Sequence, residues 1–404
     1  MELDKIWNEP CLTTLKKFPD NSIDCIITSP PYYALRCYGT EPQIWDAKAD
    51  CEHEWQEEYT SRPNGSGGQG TTDITYTEGQ GSRYVGYKDR RTRSEWCIKC
   101  KAWKGELGLE PDFRDYIKHL VQIFAECHRV LKKTGTLWVN IADSYAGARN
   151  SNRNGATESL GGKVRGGGKF VIDKLLPKDI KLKQKSLMNI PARLAIVMTD
   201  ELGFIQRNWC NWWKRSTMPS SAKDRFTIDN ETVFFFTKSK KYYFEQQLEK
   251  AQTIQPRVTK MLHDSETNIS VPYNRAGNTV IEGDDSQRNI RTTWDTYELN
   301  FEWPSETPST TTWNVNTANG EKREVQHFAA FPTDLTERMI KAGCPVGGIV
   351  YDPFMGTGST AVCAWRLGRS YIGSELLENY YIGSLKRLDE LKAPGGIPQE
   401  RLFR

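Results

Sequence analysis

The chain lacks any long hydrophobic run. Its hydrophobic fraction is 37% over 404 residues. Apolar stretches such as Val233-Phe-Phe-Phe236 are strand-sized, far short of the roughly 18 residues that span a membrane. The amino end, Met1-Glu-Leu-Asp-Lys5, has no apolar signal core, so the expected compartment is the cytoplasm and no membrane partner is expected. Charge of one sign is scarce as well. With 55 Lys and Arg against 51 Asp and Glu, the net charge is +4, so any affinity for nucleic acid must come from local charge distribution. The ten cysteines are scattered apart from one paired cluster, which speaks against a disulfide scaffold and for reduced thiols. Internal repeats are absent. The length suits a core domain of about 250 residues with one or two smaller modules.

The most informative stretch is Asp24-Cys-Ile-Ile-Thr-Ser-Pro-Pro-Tyr-Tyr33. Cys25 to Ile27 predicts a buried strand that must stop at Pro30 and Pro31, because proline has a fixed φ and no N–H. A hydroxyl (Ser29), a stiff row of carbonyl oxygens and two aromatic rings are then expected at a strand's carboxyl end, where open α/β sheets bind ligands. Acceptors beside a stacking platform suit the amino group of a flat heterocycle, such as a nucleobase taken out of its stack. An ordinary strand-terminating turn is the alternative.

Near the other end, Gly347-Gly-Ile-Val-Tyr-Asp352-Pro-Phe-Met-Gly356-Thr-Gly358-Ser-Thr360 predicts strand, glycine-rich turn and helix, the helix running from Ala361 to Leu367. A second strand, Ser370 to Ser374, ends at Glu375. Glycines admit a cofactor to the backbone, and an acid after the next strand suits ribose hydroxyls. A phosphate loop is excluded because its lysine is missing before Ser359 and Thr360. Asp352 would repel a pyrophosphate yet attract a cationic amino group. S-adenosylmethionine, with its amino group, sulfonium and ribose, fits better than a dinucleotide.

A third constellation is Cys51-Glu-His53 with Cys97-Ile-Lys-Cys100, bracketing the Gly/Ser/Thr-rich stretch Ser61 to Ser82. Three thiols and an imidazole are the donor number and type of a closed tetrahedral zinc site, structural and not catalytic. A chance grouping of thiols with an incidental histidine is the alternative. Lys88, Arg90, Arg91 and Arg93 on the same insert suit either a DNA backbone or plain solvent.

Thr28-Ser-Pro-Pro-Tyr-Tyr33 followed much later by Asp352-Pro-Phe-Met-Gly-Thr-Gly-Ser-Thr360 resembles the catalytic and cofactor motifs of amino-directed DNA methyltransferases. The order, catalytic motif first, is similar to the permuted branch called the β group. His327-Phe-Ala-Ala-Phe-Pro-Thr-Asp-Leu335 resembles the segment ahead of that group's cofactor loop, and Asp224-Arg-Phe-Thr with Glu231 to Lys240 its late strands. The resemblance covers roughly 1–45, 110–245 and 325–390.

It implies an α/β fold: a doubly wound, mostly parallel, circularly permuted sheet of the S-adenosylmethionine-dependent methyltransferase type with a target-recognition region, to which the Cys/His constellation adds a small zinc-binding insertion. It implies methyl transfer from S-adenosylmethionine to an exocyclic amine of a flipped base in double-stranded DNA. Catalytic roles fall to Ser29, Pro30, Pro31 and Tyr32. Cofactor binding falls to Asp352, Pro353, Phe354, Gly356, Gly358, Glu375 and Phe331. The metal set is Cys51, His53, Cys97 and Cys100. Within the family Ser-Pro-Pro-Tyr leans toward cytosine N4 and Asp-Pro-Pro-Tyr toward adenine N6, so cytosine N4 is favoured and adenine N6 is the alternative. An RNA or protein amide methyltransferase, or a DNA-binding module without catalysis, is the more distant rival. Pro10-Cys11 is read as incidental, since the surrounding motif of a carbon-methylating nucleophile is missing. A homodimer and a restriction endonuclease partner stay open.

The expected organisation is catalytic-motif core at 1–45, insertion at 46–104, core at 105–245, target recognition at 246–325, cofactor-binding core at 326–390 and a tail at 391–404. Within the core, Phe113, Tyr116, Ile117, Leu120, Ile123, Phe124, Cys127, Val130 and Leu131 predict an amphipathic helix over 112–133, closed by Gly135. Thr136 to Ala142 predicts a buried strand. Arg36 and Tyr38 are expected near the flipped base or the DNA backbone, and the basic segment from Lys163 to Lys185 suits either phosphates or a plain exposed loop. Trp213 to Arg225 predicts a loop within reach of DNA, and Arg257, Arg275, Arg288 and Arg291 are candidate base readers.

Overall fold

The computed structural model describes residues 1–35, 38–60, 92–146, 182–183, 185–214, 220, 222–250, 260–264, 269–273, 287–289, 293–295 and 332–393. In chain order the first elements are β1 (Lys5–Trp7), α1 (Cys11–Leu15) and β2 (Ile23–Thr28). Four short strands follow: β3 (Gln43–Trp45), β4 (Trp55–Thr60), β5 (Thr92–Cys97) and β6 (Trp103–Gly105). The core resumes with α2 (Phe113–Val130), β7 (Leu131–Ile141), α3 (Ile190–Asp200), β8 (Ile205–Trp213) and β9 (Asn230–Thr237). Next come β10 (Leu248–Lys250), β11 (Lys260–Asp264), β12 (Ile269–Tyr273), β13 (Gln287–Asn289) and β14 (Thr293–Asp295). The chain closes with α4 (Thr333–Gly343), β15 (Ile349–Asp352), α5 (Ser359–Arg366), β16 (Ser370–Ser374) and α6 (Glu378–Lys392).

The main sheet runs β1-β16-β15-β2-β7-β9-β8-β14. From β1 to β7 every pairing is parallel; β9 is antiparallel to both its neighbours. β15 and β16, from the end of the chain, lie between β1 and β2, so the centre of the sheet is made of segments from opposite ends of the sequence.

Alternation along the central strands explains the three layers. Ile23 and Ile26 of β2, Leu137 and Val139 of β7 and Phe234 and Phe236 of β9 join the core under α1, α2 and α3. Cys25 and Ile27, Trp138, and Val233 and Phe235 face the opposite core under α4, α5 and α6. Strands buried on both faces read as continuous apolar runs, which is how β2 and β9 appear in the sequence. The Trp138 and Phe235 rings stack at 4.1 Å and 4° across β7 and β9.

Helix α2 begins where expected: the Asp112 carboxylate accepts from the Arg114 N–H at 2.9 Å, satisfying an end donor that has no partner within the helix. It ends earlier than expected. Leu131 is already extended and opens β7, so Gly135 is a strand residue and not a helix stop. A Cβ at Gly135 would lie 2.7 Å from Leu131 Cδ1 and 3.0 Å from the Asp24 carbonyl, so packing explains this glycine.

A separate antiparallel sheet, β3-β6-β5-β4, forms the insertion. It starts at Gln43, slightly before the expected boundary, because β3 pairs with β6 through Trp45 opposite Trp103. Backbone pairings β10–β13 and β11–β12 are two-stranded. Most of 246–325, the Ser61 to Ser82 stretch, the basic insert residues 88–91 and the basic segment from 163 to 181 lie outside the described residues, as does Arg36. Among the described residues no helix is long and apolar enough to cross a membrane.

Phe124 is fully buried on α2, whereas Ile382 on α6 is 52% exposed. Phe124→Ala should cost about 3–5 kcal/mol in urea unfolding, through lost transfer energy and the cavity left behind. Ile382→Ala should stay within about 0.5 kcal/mol. Equal midpoint shifts would contradict this placement of the core.

Candidate active site

Strands β2 and β15 run side by side in parallel, Cys25 opposite Val350 and Ile26 opposite Tyr351. From β15 the chain crosses through α5 to β16, on the α4–α6 face; from β2 it continues to β7 through α2, on the other face. The crevice beyond their carboxyl ends is therefore a topological switch point. There the Thr28 hydroxyl donates to Asp352 Oδ1 at 2.9 Å. The Phe354 N–H donates to the same oxygen at 2.9 Å, and the Thr360 hydroxyl donates to Oδ2 at 2.7 Å. Burial pushes the Asp352 carboxyl up to about 6 against the pull of these three donors.

Glu375, just past β16, accepts the Gly356 N–H on Oε2 at 2.7 Å and the Leu377 N–H on Oε1 at 2.8 Å. It is pushed up to about 7, chiefly by burial and also by the charge of Asp352. Two acids thus sit in a poorly solvated wall, where a cation would favour their ionised forms. The turn needs its glycines for different reasons. Gly356 has φ +57 and offers its N–H to Glu375. Gly358 was expected to let the backbone approach a cofactor, but it does not line the cavity. With φ +84 it opens α5, and a Cβ there would come within 2.9 Å of Ser384 Cβ on α6. Close helix packing is what this glycine permits.

The Ser29-Pro-Pro-Tyr32 segment forms the facing wall. Pro31 is fixed by its carbonyl, which accepts from the Tyr116 hydroxyl at 2.7 Å. The Tyr32 hydroxyl lies 2.6 Å from Asn140 Oδ1 and 2.8 Å from Glu231 Oε2, two acceptors that compete for its one proton; Glu231 also pairs with Lys214. Ser29 Oγ lies 3.3 Å from the Tyr32 hydroxyl oxygen and 3.4 Å from Asn140 Oδ1, two long contacts that can take its one proton while its lone pairs stay acceptors. The two tyrosines separate. Tyr32 lines the cavity, whereas Tyr33, expected as a second ring of the platform, is 1% exposed and packs on Tyr116 and Phe113.

One cavity is lined by Ser29, Pro30, Pro31, Tyr32, Asp352, Pro353, Phe354, Gly356 and Glu375. Between protein atoms, with open solvent at its mouth counted in, the cleft encloses about 1040 Å³. Tyr38 also lines it, while Phe331 lies outside the described residues.

Sequence reasoning missed Glu106, Asn140 and Glu231. Glu106 lies just past the expected insertion boundary with no motif around it, Asn140 is a polar interruption in a run that reads as buried strand, and Glu231 reads only as the head of a strand, with no role in the site. Cys11 lines the cavity too, but burial pushes its thiol up to about 12, which keeps it protonated and a poor nucleophile. Elsewhere the structure brings Cys51, His53, Cys97 and Cys100 together, their donor atoms all within 4.8 Å of one another.

A doubly wound sheet with a strand-end acid and glycine turn facing a Ser-Pro-Pro-Tyr segment across one cavity is the arrangement expected of an S-adenosylmethionine-dependent methyltransferase. A family model described as DNA methylase, of the N6/N4 type, matches residues 23–385. The Type II methyltransferase M.SmaI of Serratia marcescens is 30% identical over 285 residues, covering 70% of this chain and 78% of that protein. The Type II methyltransferase M.Cfr9I of Citrobacter freundii is 28% identical over 385 residues, covering 95% of this chain and 87% of that protein. Among solved structures, the PvuII DNA methyltransferase (cytosine-N4-specific) aligns with a TM-score of 0.49 at 16% identity, over 100% of this chain and 90% of that one. The chain belongs to the N6/N4 DNA methylase family and is an S-adenosylmethionine-dependent DNA methyltransferase.

The acid pair has a consequence for stability. Both carboxyls titrate higher in the folded chain than the roughly 4 of an unfolded one, so the folded state holds extra protons between about pH 4 and 7. The stability they contribute is full below about pH 4, falls as pH rises, and is gone once pH has passed through 6 to 7. Without cofactor, the melting temperature should fall from pH 5 to pH 8, and fall less in Glu375→Gln. Identical pH profiles for the two proteins would contradict the buried-acid assignment.

Proposed function

We propose that the chain methylates an exocyclic amino nitrogen of a base extruded from double-stranded DNA, at a specific site, with cytosine N4 the favoured target. The observation that carries this reading is the Thr28–Asp352 hydrogen bond, because it places the Ser-Pro-Pro-Tyr segment and the acidic glycine turn on one cavity. Asp352 shapes the turn and supplies negative charge for the amino group of S-adenosylmethionine. Glu375 takes the ribose hydroxyls through the lone pairs its backbone donors leave free. Pro353, Phe354 and Gly356 line the adenosylmethionine side, with Phe331 as a further candidate and Gly358 holding the turn against α6.

An exocyclic amine is a weak nucleophile because its lone pair is conjugated with the ring. Ser29 Oγ and the Pro30 carbonyl would accept its two hydrogens, favouring a tetrahedral nitrogen and stabilising the positive charge that develops there. Pro31 keeps that row of acceptors stiff. Tyr32, its hydroxyl tied to Asn140 and Glu231, offers a ring held in place for stacking. When bound, S-adenosylmethionine supplies an electrophilic methyl: the nitrogen lone pair forms the new N–C bond as the C–S bond breaks to a neutral thioether, and the nitrogen then sheds a proton to solvent. Positioning supplies most of the acceleration, and no covalent enzyme intermediate is required.

Serine at position 29 favours cytosine N4 over adenine N6. The region from 246 to 325 is the candidate for target recognition. We take the enzyme to be cytoplasmic, and a homodimer or an endonuclease partner would be compatible with this reading.

Ser29→Ala should lower turnover by about 10²–10³ while cofactor affinity stays within about twofold, as for loss of one preorganised group in a transition-state site. Single-turnover rates and calorimetry measure the two, and mass spectrometry of digested DNA identifies the methylated base. N6-methyladenine as the product would reverse the choice of base. An unchanged turnover would remove Ser29 from the chemistry.

A further inference from the structure

We infer that Cys51, His53, Cys97 and Cys100 hold a structural Zn²⁺ and that this ion, acting through β6 and Glu106, fixes one wall of the cavity. The second half of the inference rests on the reading of that cavity as the cofactor and base site.

The donor geometry comes first. Cys51 Sγ and Cys97 Sγ are 3.8 Å apart, and Cys100 Sγ is 3.4 Å from His53 Nδ1. A tetrahedron with Zn–S of about 2.3 Å and Zn–N of about 2.05 Å has S–S edges of about 3.8 Å and S–N edges of about 3.6 Å. A disulfide would need its sulfurs at about 2.05 Å. Thiolate and imidazole donors select zinc over the hard cations that prefer oxygen. Four protein donors leave no open position, so the ion would be structural.

The backbone around the donors is shaped as a knuckle. The Lys101 N–H donates to the Cys97 carbonyl at 2.9 Å, and the Cys97 N–H to the Ala102 carbonyl at 2.8 Å. Lys101 takes a left-handed φ of 64° to close the turn. The Ile98 N–H donates to the Glu54 carbonyl at 3.0 Å, tying the two donor segments together.

From the knuckle the chain runs into β6, whose Trp103 pairs with Trp96 of β5 and with Trp45 of β3. Trp45 and Trp103 both stack on His119 of α2, at 4.6 Å and 5.5 Å, so the insertion grips the core there. The next residue after β6 is Glu106, largely buried. Its Oε1 accepts the Tyr38 N–H at 2.5 Å and its Oε2 the Gly39 N–H at 3.0 Å. Tyr38, Thr40 and Glu106 all line the cavity. A four-stranded sheet this small has little core of its own, so ion binding supplies much of its folding energy. Loss of the ion would loosen β5 and β6, then Glu106, then the 38–40 wall.

The test uses the full chain in three forms: wild type, Cys100→Ser and Glu106→Gln, with zinc measured by elemental analysis and S-adenosylmethionine affinity by calorimetry. Wild type should carry about one zinc per chain. Zinc stripped from the folded wild type by a mercurial and chelator should weaken cofactor binding about tenfold, the reduction expected if only about a tenth of the molecules keep a competent wall. Restored zinc should restore affinity. Cys100→Ser should lose zinc; if it fails to fold, the stripped wild type still decides. Glu106→Gln should keep its zinc yet bind cofactor more weakly, because an amide cannot accept both N–H groups. Wild type purified from zinc-replete medium without stoichiometric zinc overturns the site. Unchanged cofactor affinity in the stripped protein, or in Glu106→Gln, overturns the coupling. If zinc-loaded wild type binds no S-adenosylmethionine, the cavity reading falls alone, and metal content with chelator-sensitive melting still decides the zinc site.

Discussion

The buried hydrogen bond from the Thr28 hydroxyl to the Asp352 carboxylate joins residues 324 positions apart, and the active-site geometry depends on it. It is made where two parallel strands end together, and it determines which loops can share a cavity. The same carboxylate also holds the Phe354 amide and the Thr360 hydroxyl, so strand, turn and following helix are all referenced to one side chain. Burial that raises the titration of Asp352 and Glu375 also makes the cavity receptive to positive charge. Fold and ligand preference therefore have one electrostatic origin.

Much of this was legible in the residues. Proline pairs stop strands, glycine turns open helices, and an apolar face at helical spacing marks α2, so motif positions could be placed on elements. The meeting of the two motifs was readable only through a resemblance, because parallel pairing leaves no local trace in either strand. Gly358 illustrates a limit: its left-handed φ is a local property, but whether it faces a ligand or a neighbouring helix is decided by α6, a separate segment of chain. Tyr33 illustrates another, since adjacent tyrosines look alike in sequence while only one of them points away from the Tyr116 and Phe113 core. Glu106, Asn140 and Glu231 were hidden for the same reason, each acquiring its meaning from a partner far along the chain.

The insertion shows how a peripheral module acquires a stake in the site. It stacks two tryptophans on His119, and His119 in turn meets the buried Glu110 at 2.9 Å. Glu110 also accepts the Gly108 N–H, and the Gly108 carbonyl accepts from Ala34, two residues past Tyr32. A continuous set of polar and aromatic contacts thus leads from the insertion to the Ser-Pro-Pro-Tyr turn.

The placing of β15 and β16 between β1 and β2 bears on how the chain is made. During synthesis β1 and β2 emerge long before β15 and β16, the two strands that come to lie between them. Until those two strands arrive, the edges of β1 and β2 that they will cover stay unpaired, a state in which strand edges invite mispairing.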